Sequence, residues 1–246
     1  MNISHVFKVL IPIDVRNVRR DNGISWMIFL PIFSAFFIRW GVPALAESLA
    51  ASNGFDLIPY YPAILAYFFV IMAPITFSVM IGFILLDEKD DNTLTALQVT
   101  PLSLNAYIAY RVAVPVVLTL LLVPVLFPLS NISSLQWGGI VVTAIAAAPM
   151  SPMFALYLAS IAQNKVQGFA LMKLSGFILF IPIFAYFVES NWQLLFGIIP
   201  TYWPMKVYWL LENSQGPVWP YLLMAILYQS FVAWIFIKRF NRILHQ

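Results

Sequence analysis

The chain contains no cysteine and only two histidines, His5 and His245, one near each end. Disulfides, thiolate nucleophiles and cysteine-ligated metals are therefore excluded, as is the zinc motif that places two histidines four residues apart. Charge is scarce too: Asp, Glu, Lys and Arg make up 9% of the 246 residues, against about 25% in an ordinary soluble domain. A soluble fold of this length would need far more polar surface to cover its core.

Motifs for hydrolytic chemistry are also missing from the sequence. There is no G-x-x-x-x-G-K-[ST] phosphate loop, so we do not expect the chain to hydrolyse ATP by itself. There is no G-x-S-x-G elbow, and Glu189 and Glu212 are isolated carboxylates rather than a paired acid and base. No basic patch with interleaved aromatic residues points to nucleic acid. We predict no catalytic residue, no metal site and no cofactor bound by this chain.

Apolar runs fill what remains, with 62% hydrophobic residues and a mean hydropathy of +0.88. Because about 20 mostly apolar residues cross a bilayer, the runs predict an all-α membrane protein of six transmembrane helices in a single domain covering residues 1–246. An amphipathic helix over residues 3–21, with Val6, Val9, Leu10 and Ile13 on one face, is expected to lie on the membrane surface before them. The predicted spans are residues 24–46, 61–86, 107–129, 138–162, 174–188 and 219–237.

Prolines indicate where the apolar runs are interrupted. Residues 192–211 are apolar but contain Pro200 and Pro204, which favours a re-entrant hairpin before the last span. A seventh full span is the alternative. Within the fourth span, Pro149 and Pro152 lie three residues apart and predict a local break in the helix.

The basic residues indicate the orientation. If both termini are cytosolic, the cytosolic segments hold 11 of the 13 Lys and Arg residues, and the outer segments hold only Arg39 and Lys206. This asymmetry is what the positive-inside rule requires. The net charge of +3 therefore reflects membrane orientation.

The most informative polar stretch follows the second span, at residues 87–103. Four acids, Asp87, Glu88, Asp90 and Asp91, stand where basic residues are usual, and a short amphipathic helix is expected after them, ending at Pro101. Acids at the start of a helix favour its dipole. The stretch is either a solvated loop or a docking element for a soluble partner.

The same stretch resembles the signature of ABC-2 type permeases, the membrane subunits of ATP-binding-cassette exporters. It reads D-E-K-D-D-N-T-L-T-A-L-Q-V-T-P-L-S and is followed by Ala106, Tyr107 and Arg111. Asn92 stands where glycine is common in the family, and asparagine also tolerates the left-handed geometry of such a turn. The six spans, the surface helix and the proline-containing hairpin are similar to the small drug-export permeases, including those associated with fluoroquinolone efflux.

The resemblance implies a half-transporter in the lipid membrane, with both termini cytosolic and the bacterial plasma (inner) membrane as the expected location. It implies a second permease subunit, identical or related, and a separate ATPase that binds ATP and Mg. Residues expected to couple to that ATPase are Asp87, Glu88, Lys89, Thr93, Leu94, Leu97, Thr100 and Pro101, with residues 163–173 as a second cytosolic loop. Residues expected to line the pathway of a hydrophobic or amphipathic substrate, a drug or lipid, are Phe33, Phe36, Phe37, Phe69, Met72, Thr76, Phe177, Phe180 and Phe184. A non-transporting membrane anchor and a secondary carrier are the alternative functions.

Overall fold

A computed structural model describes residues 3–91, 93 and 104–244, and the regular structure within these residues is helical. Six helices in the described residues are long and apolar enough to cross a membrane, which confirms the predicted number. We number them spans 1 to 6. Their bounds are Ser25–Asn53, Ile58–Asp90, Leu104–Ser130, Trp137–Ile161, Lys165–Phe187 and Trp219–Arg242.

Spans 2 and 4 form the centre of the bundle. In the most apolar part of span 2, 89% of residues are buried, and in that of span 4, 72%, whereas the other four spans bury only 22–28%. The second half of span 2 packs along the second half of span 4, which also contacts span 6. Gly82 permits this close approach, because a Cβ there would lie 3.1 Å from Leu158 Cδ1. The outer spans expose apolar side chains, as helices facing lipid do.

The N-terminal helix runs from Ile3 to Arg20, close to the predicted bounds, and span 1 follows in a helix that covers Asn22–Asn53. Val6 and Leu10 are buried against the bundle, whereas Val9 and Ile13 are exposed. The expected single apolar face is therefore divided, because the buried stripe follows residues 6, 10 and 14 at helical spacing. Placement of this helix on a membrane surface stays a prediction.

Span 2 contains a π-helical turn, Ala66–Met72, between the α-helices Tyr61–Leu65 and Ala73–Asp90, and a 3-10 turn, Ile58–Tyr60, precedes it. Pro74 has no N–H to donate, and the Ala73 N–H bonds to the Phe68 carbonyl five residues back. Thr76 Oγ1 also donates to the Met72 carbonyl at 2.8 Å. Single π turns are frequent at functional sites, and this one carries Met72 into the groove described below.

The predicted break in span 4 is confirmed. The span consists of two α-helices, Trp137–Ala147 and Met150–Ile161, with Pro149 between them. Ser151 Oγ donates to the Ala148 carbonyl at 2.7 Å and lies 2.8 Å from Thr119 Oγ1 of span 3. The break is thus occupied by a hydrogen-bonded pair of hydroxyl groups rather than by a cavity.

The helix of span 5 extends beyond the predicted membrane span, residues 174–188, at its start. Its α-helix begins at Lys165, not at residue 174, and runs to Phe180 before continuing as a 3-10 helix, Ile181–Phe187. Asn164 caps it by accepting a hydrogen bond from the Gln167 N–H at 3.0 Å. Most of the expected cytosolic loop 163–173 is therefore helical. The start of the membrane crossing within this helix stays a prediction.

Residues 192–211 lie within two short helices joined by a turn, the 3-10 helix Asn191–Ile198 and the α-helix Tyr202–Glu212. The second is well packed, with Met205 and Tyr208 fully buried. Lys206 Nζ donates to Gln193 Oε1 at 2.7 Å, and partial burial lowers the pKa of this lysine. Entry of the segment into the outer leaflet stays a prediction. The last α-helix covers Trp219–Leu244.

Candidate functional site

A buried arginine lies near the start of span 3, at the end of the bundle where the 87–103 stretch emerges. Arg111 is 1% exposed, and its Nη1 donates to Asp14 Oδ2 of the N-terminal helix at 2.7 Å. Its Nη2 donates to Glu88 Oε1 near the end of span 2. The planar guanidinium suits this arrangement, because its fork of donors can serve two carboxylates at once. One side chain thereby connects three elements that are distant in sequence.

Two tyrosines of span 3 complete this cluster. Tyr110 donates to Asp14 Oδ2 at 2.6 Å, Tyr107 donates to Glu88 Oε2, and Arg111 Nε donates to the Tyr107 hydroxyl at 3.2 Å. Tyr107 and Arg111 share one helix face because they are four residues apart. We call Asp14, Glu88, Tyr107, Tyr110 and Arg111 the arginine cluster. Its ionic groups are buried together, so removing one partner would leave an uncompensated charge.

A second polar contact lies at the same end of the molecule. Lys165 Nζ, at the start of span 5, is 2.9 Å from both Asp21 Oδ2 and Asp87 Oδ2. The three side chains are 29–41% exposed, so this contact is far more accessible than the arginine cluster. Asp21 directly precedes the helix of span 1, and Asp87 lies in the last turn of span 2. The lysine bridge, as we call these three residues, joins the ends of spans 1, 2 and 5.

Of the eight expected coupling residues, four lie among the described residues and four lie outside them. Asp87 lies in the lysine bridge and Glu88 in the arginine cluster, while Lys89 Nζ donates to the Ala162 carbonyl of the span 4–5 connection at 3.0 Å. The first two acids of the stretch are thus paired within the chain rather than presented freely to solvent. Thr93 is exposed. Four expected residues lie outside the described ones: Leu94, Leu97, Thr100 and Pro101.

The sequence interpretation missed Asp14, Asp21 and Lys165, and it treated Arg111 only as part of a motif. A usable signal existed for Arg111, because an ionised residue inside an apolar run needs a partner. The identity of that partner had no local signal. Asp14 lies 97 residues away in sequence and was counted as part of a surface helix.

An apolar groove of about 740 Å³ opens between spans 1, 2 and 5. Four of the nine expected pathway residues line it, namely Met72, Thr76, Phe177 and Phe180. An adjoining cavity of about 250 Å³ is lined by Met72 and Thr76 together with Phe33 and Phe37 of span 1. Six expected residues therefore line the groove or the adjoining cavity, and Lys173 adds a charged group to the groove lining.

The other three expected pathway residues lie elsewhere. Phe69 is fully buried, with its ring 5.2 Å from that of Phe127 in the core. Phe36 stacks on Trp40 at 5.5 Å on another face of span 1. Phe184 touches Phe180 edge-on at 5.9 Å but does not line the groove. A repeating pattern of aromatics does not distinguish groove, core and lipid-facing positions, because all three favour large apolar side chains.

Comparison with known proteins gives the chain a family. A family model described as "Fluoroquinolones export permease protein Rv2686c-like" matches residues 14–237. The chain belongs to this family. The Rv2686c-like chain is 32% identical over 232 residues to two proteins of Mycobacterium tuberculosis, the fluoroquinolones export permease proteins MT2760 of strain CDC 1551 and Rv2686c of strain H37Rv. The match covers 93% of this chain and 91% of each relative. No solved structure matches.

Membership agrees with the resemblance to ABC-2 type export permeases and identifies an integral membrane protein of the permease class. The region shared by Rv2686c-like permeases starts at Asp14 and ends at residue 237, beyond span 5. It therefore contains the whole arginine cluster, the lysine bridge and the groove.

Proposed function

We propose that this permease is the membrane subunit of an ATP-driven exporter that moves a hydrophobic or amphipathic drug out of the cytosol. The groove between spans 1, 2 and 5 is the substrate surface, because its lining combines aromatic rings with Met72 and Thr76. Such linings adapt to differently shaped apolar ligands. The names of the two relatives make fluoroquinolones the first substrates to test.

The energy source is a separate ATPase, since the sequence contains no phosphate loop. It docks on residues 87–103 at the cytosolic edge. A push on this segment reaches the bundle by two routes. Through Glu88 and Arg111 it moves the N-terminal helix and span 3, and through Asp87 and Lys165 it moves the starts of spans 1 and 5.

A second permease subunit covers the open side of the groove. Phe33 and Phe177, on spans 1 and 5, are 66% and 79% exposed. Apolar side chains at this position face either lipid or another protein surface, and two subunits meeting here would enclose a cavity between their grooves. The orientation follows the basic residues, with both termini cytosolic in the plasma membrane.

A chain without cysteine allows a direct test of this orientation. Single cysteines at Asp90, Ser52 and Ser133 would be treated in intact cells with an impermeant thiol reagent. We expect labelling at residues 52 and 133 and none at residue 90. Labelling of the Asp90→Cys variant from outside would invert the topology and remove the docking surface from the cytosol.

The observation that carries the proposal is that one contact, the lysine bridge, joins the ends of spans 1, 2 and 5, which supply all of the groove lining except Phe154 of span 4. A movement of the 87–103 segment can therefore change the width of the groove directly. Neither a passive anchor nor a carrier driven by an ion gradient would require this connection to a docking segment.

The test is ATP-dependent fluoroquinolone uptake into inverted membrane vesicles containing the chain and the ATPase that co-purifies with it. Gly176→Phe should block uptake, because Gly176 lines the groove and a Cβ there has no atom within 4 Å. Gly138→Phe is the matched control, since Gly138 is equally open but lies at the start of span 4. Uptake that persists without ATP but needs a proton gradient would identify a secondary carrier. Absence of uptake with an intact complex would identify an anchor.

A further inference from the structure

A second cavity, distinct from the groove, lies beneath the N-terminal helix. It has a volume of about 460 Å³, within the range of about 300–1,000 Å³ typical of ligand pockets. Spans 1, 2 and 3 form its other walls, and it shares no lining residue with the groove. The lining is almost wholly apolar, and Ile11, Val15 and Val117 along it are 46–52% exposed. The cavity therefore opens sideways, where a membrane protein meets lipid.

Asp14, one of the lining residues, has a carboxylate oxygen without a partner among the described residues. Asp14 is 8% exposed, and its Oδ2 accepts hydrogen bonds from Tyr110 and Arg111. Its Oδ1 is buried and has no hydrogen-bond partner among the described residues. A buried acceptor without a partner destabilises the folded protein, and the cost is larger when the acceptor is charged.

The side chain of Arg19 provides a positive charge at the rim of the same cavity. Arg19 lines it and is exposed, and its guanidinium makes no ion pair within the described part of the chain. Arg19 is five residues after Asp14, so the two are about 7.5 Å apart along the helix axis. The cavity thus presents a buried acceptor, a basic group at its edge and an apolar interior.

We propose that this cavity binds one membrane phospholipid with a primary ammonium headgroup, of the phosphatidylethanolamine type. The ammonium donates a hydrogen bond to Asp14 Oδ1, the phosphate pairs with Arg19, and an acyl chain fills the apolar interior. Water is a poor occupant, since a buried water needs two to four polar partners and the lining offers few. A choline headgroup fits the volume but has no N–H to donate.

The bound lipid would fasten the N-terminal helix to spans 1, 2 and 3. This proposal does not depend on the proposed transport activity, because it concerns a cavity and an acceptor that the groove does not share.

The test uses the purified full-length chain in detergent. It is incubated with dioleoylphosphatidylethanolamine or dioleoylphosphatidylcholine, repurified, and analysed for retained lipid by extraction and mass spectrometry. We expect about one ethanolamine lipid per chain and about tenfold weaker retention of the choline lipid, since a charge-assisted hydrogen bond is lost. Equal retention of the two lipids would overturn the headgroup assignment.

Two pairs of variants locate the site. Val117→Trp fills the mouth of the cavity, and Val125→Trp is its control, a residue of similar exposure two turns along the same span and outside the lining. Arg19→Gln removes the rim cation, and Arg16→Gln on the same helix is its control. Retention should fall in the first of each pair and not in the second. Unchanged retention in Val117→Trp, or displacement of the lipid by a fluoroquinolone, would overturn the proposal.

Discussion

The arginine cluster and the groove differ in the kind of contact that holds their side chains in place. In the cluster, Arg111 is enclosed by two carboxylates and two tyrosines from three elements, and its position is set by directional bonds. The groove is lined mostly by apolar side chains, several of them exposed, with few directional contacts. Directional buried bonds define one arrangement, whereas apolar surface accepts many. The proposed exporter would use both, a fixed end that receives force and an adaptable surface that meets an apolar substrate.

The lysine bridge lies between these two extremes. It is ionic like the cluster, but its partners are about one-third exposed and it joins the spans of the groove. Exposed ion pairs contribute about 0–1 kcal/mol, so this contact can open without unfolding the protein. We therefore expect Arg111 to contribute stability and Lys165 to permit movement between the spans that it joins.

The largest loss of stability is expected from Arg111→Met. It leaves Asp14 and Glu88 buried without their cation, which costs about 3–5 kcal/mol of the free energy of unfolding. Denaturant unfolding in mixed micelles measures the loss. Arg39→Met is the control, because Arg39 is partly exposed, donates to the Leu129 carbonyl at 3.3 Å and lies over the Trp40 ring, with no carboxylate partner among the described residues.

A triple variant tests whether the uncompensated buried charge causes this loss of stability. Replacing all three ionic groups at once, with Asp14→Asn, Glu88→Gln and Arg111→Met, removes the uncompensated charge and should recover much of the lost stability. If the single Arg111→Met variant unfolds at the same denaturant concentration as the parent, the cluster does not hold the three elements together.

The next largest effect is the loss of transport that we expect from Ala96→Pro. Residue 96 lies outside the described residues. A proline inside a helix costs about 3 kcal/mol or more, so a rigid coupling helix would be broken and uptake abolished with membrane insertion intact. Ala96→Gly is the graded control, since glycine costs about 1 kcal/mol. Full uptake in the proline variant would make residues 87–103 an ordinary loop.

Hydropathy was sufficient for the six spans, and Pro149 for the break in span 4, because both depend on local sequence. Hydropathy does not locate the start of the span 5 helix at Lys165, where Asn164 forms the cap and Lys165 pairs with Asp21 and Asp87. The arginine cluster could not be assembled from sequence for a related reason. Its bonds join residues 23 and 97 positions apart, and periodicity carries no information at that distance.

A smaller, purely functional effect is expected from Lys165→Met. Stability should change by no more than about 1 kcal/mol, because the bridge is partly exposed. Uptake should fall several-fold, since spans 1 and 5 would no longer follow Asp87. Lys8→Met, an exposed lysine on the N-terminal helix, serves as the control. Unchanged uptake with a large loss of stability would reverse the assignment and make the lysine bridge a structural contact.

The smallest effect is expected from a single substitution in the groove lining. Phe177→Ala removes one exposed ring from a lining that other apolar residues can still supply. Loss of about 1 kcal/mol of apolar contact corresponds to about a fivefold weaker apparent affinity. We expect this change in KM for a fluoroquinolone, with little change in maximal uptake. Phe231→Ala is the control, since this phenylalanine is also exposed, lies on span 6 and is outside the groove lining. Equal effects of the two substitutions would mean that the substrate does not bind between spans 1, 2 and 5. A complete loss of uptake in Phe177→Ala would instead require a fixed aromatic contact, and the contrast between a directional cluster and an adaptable groove would no longer hold.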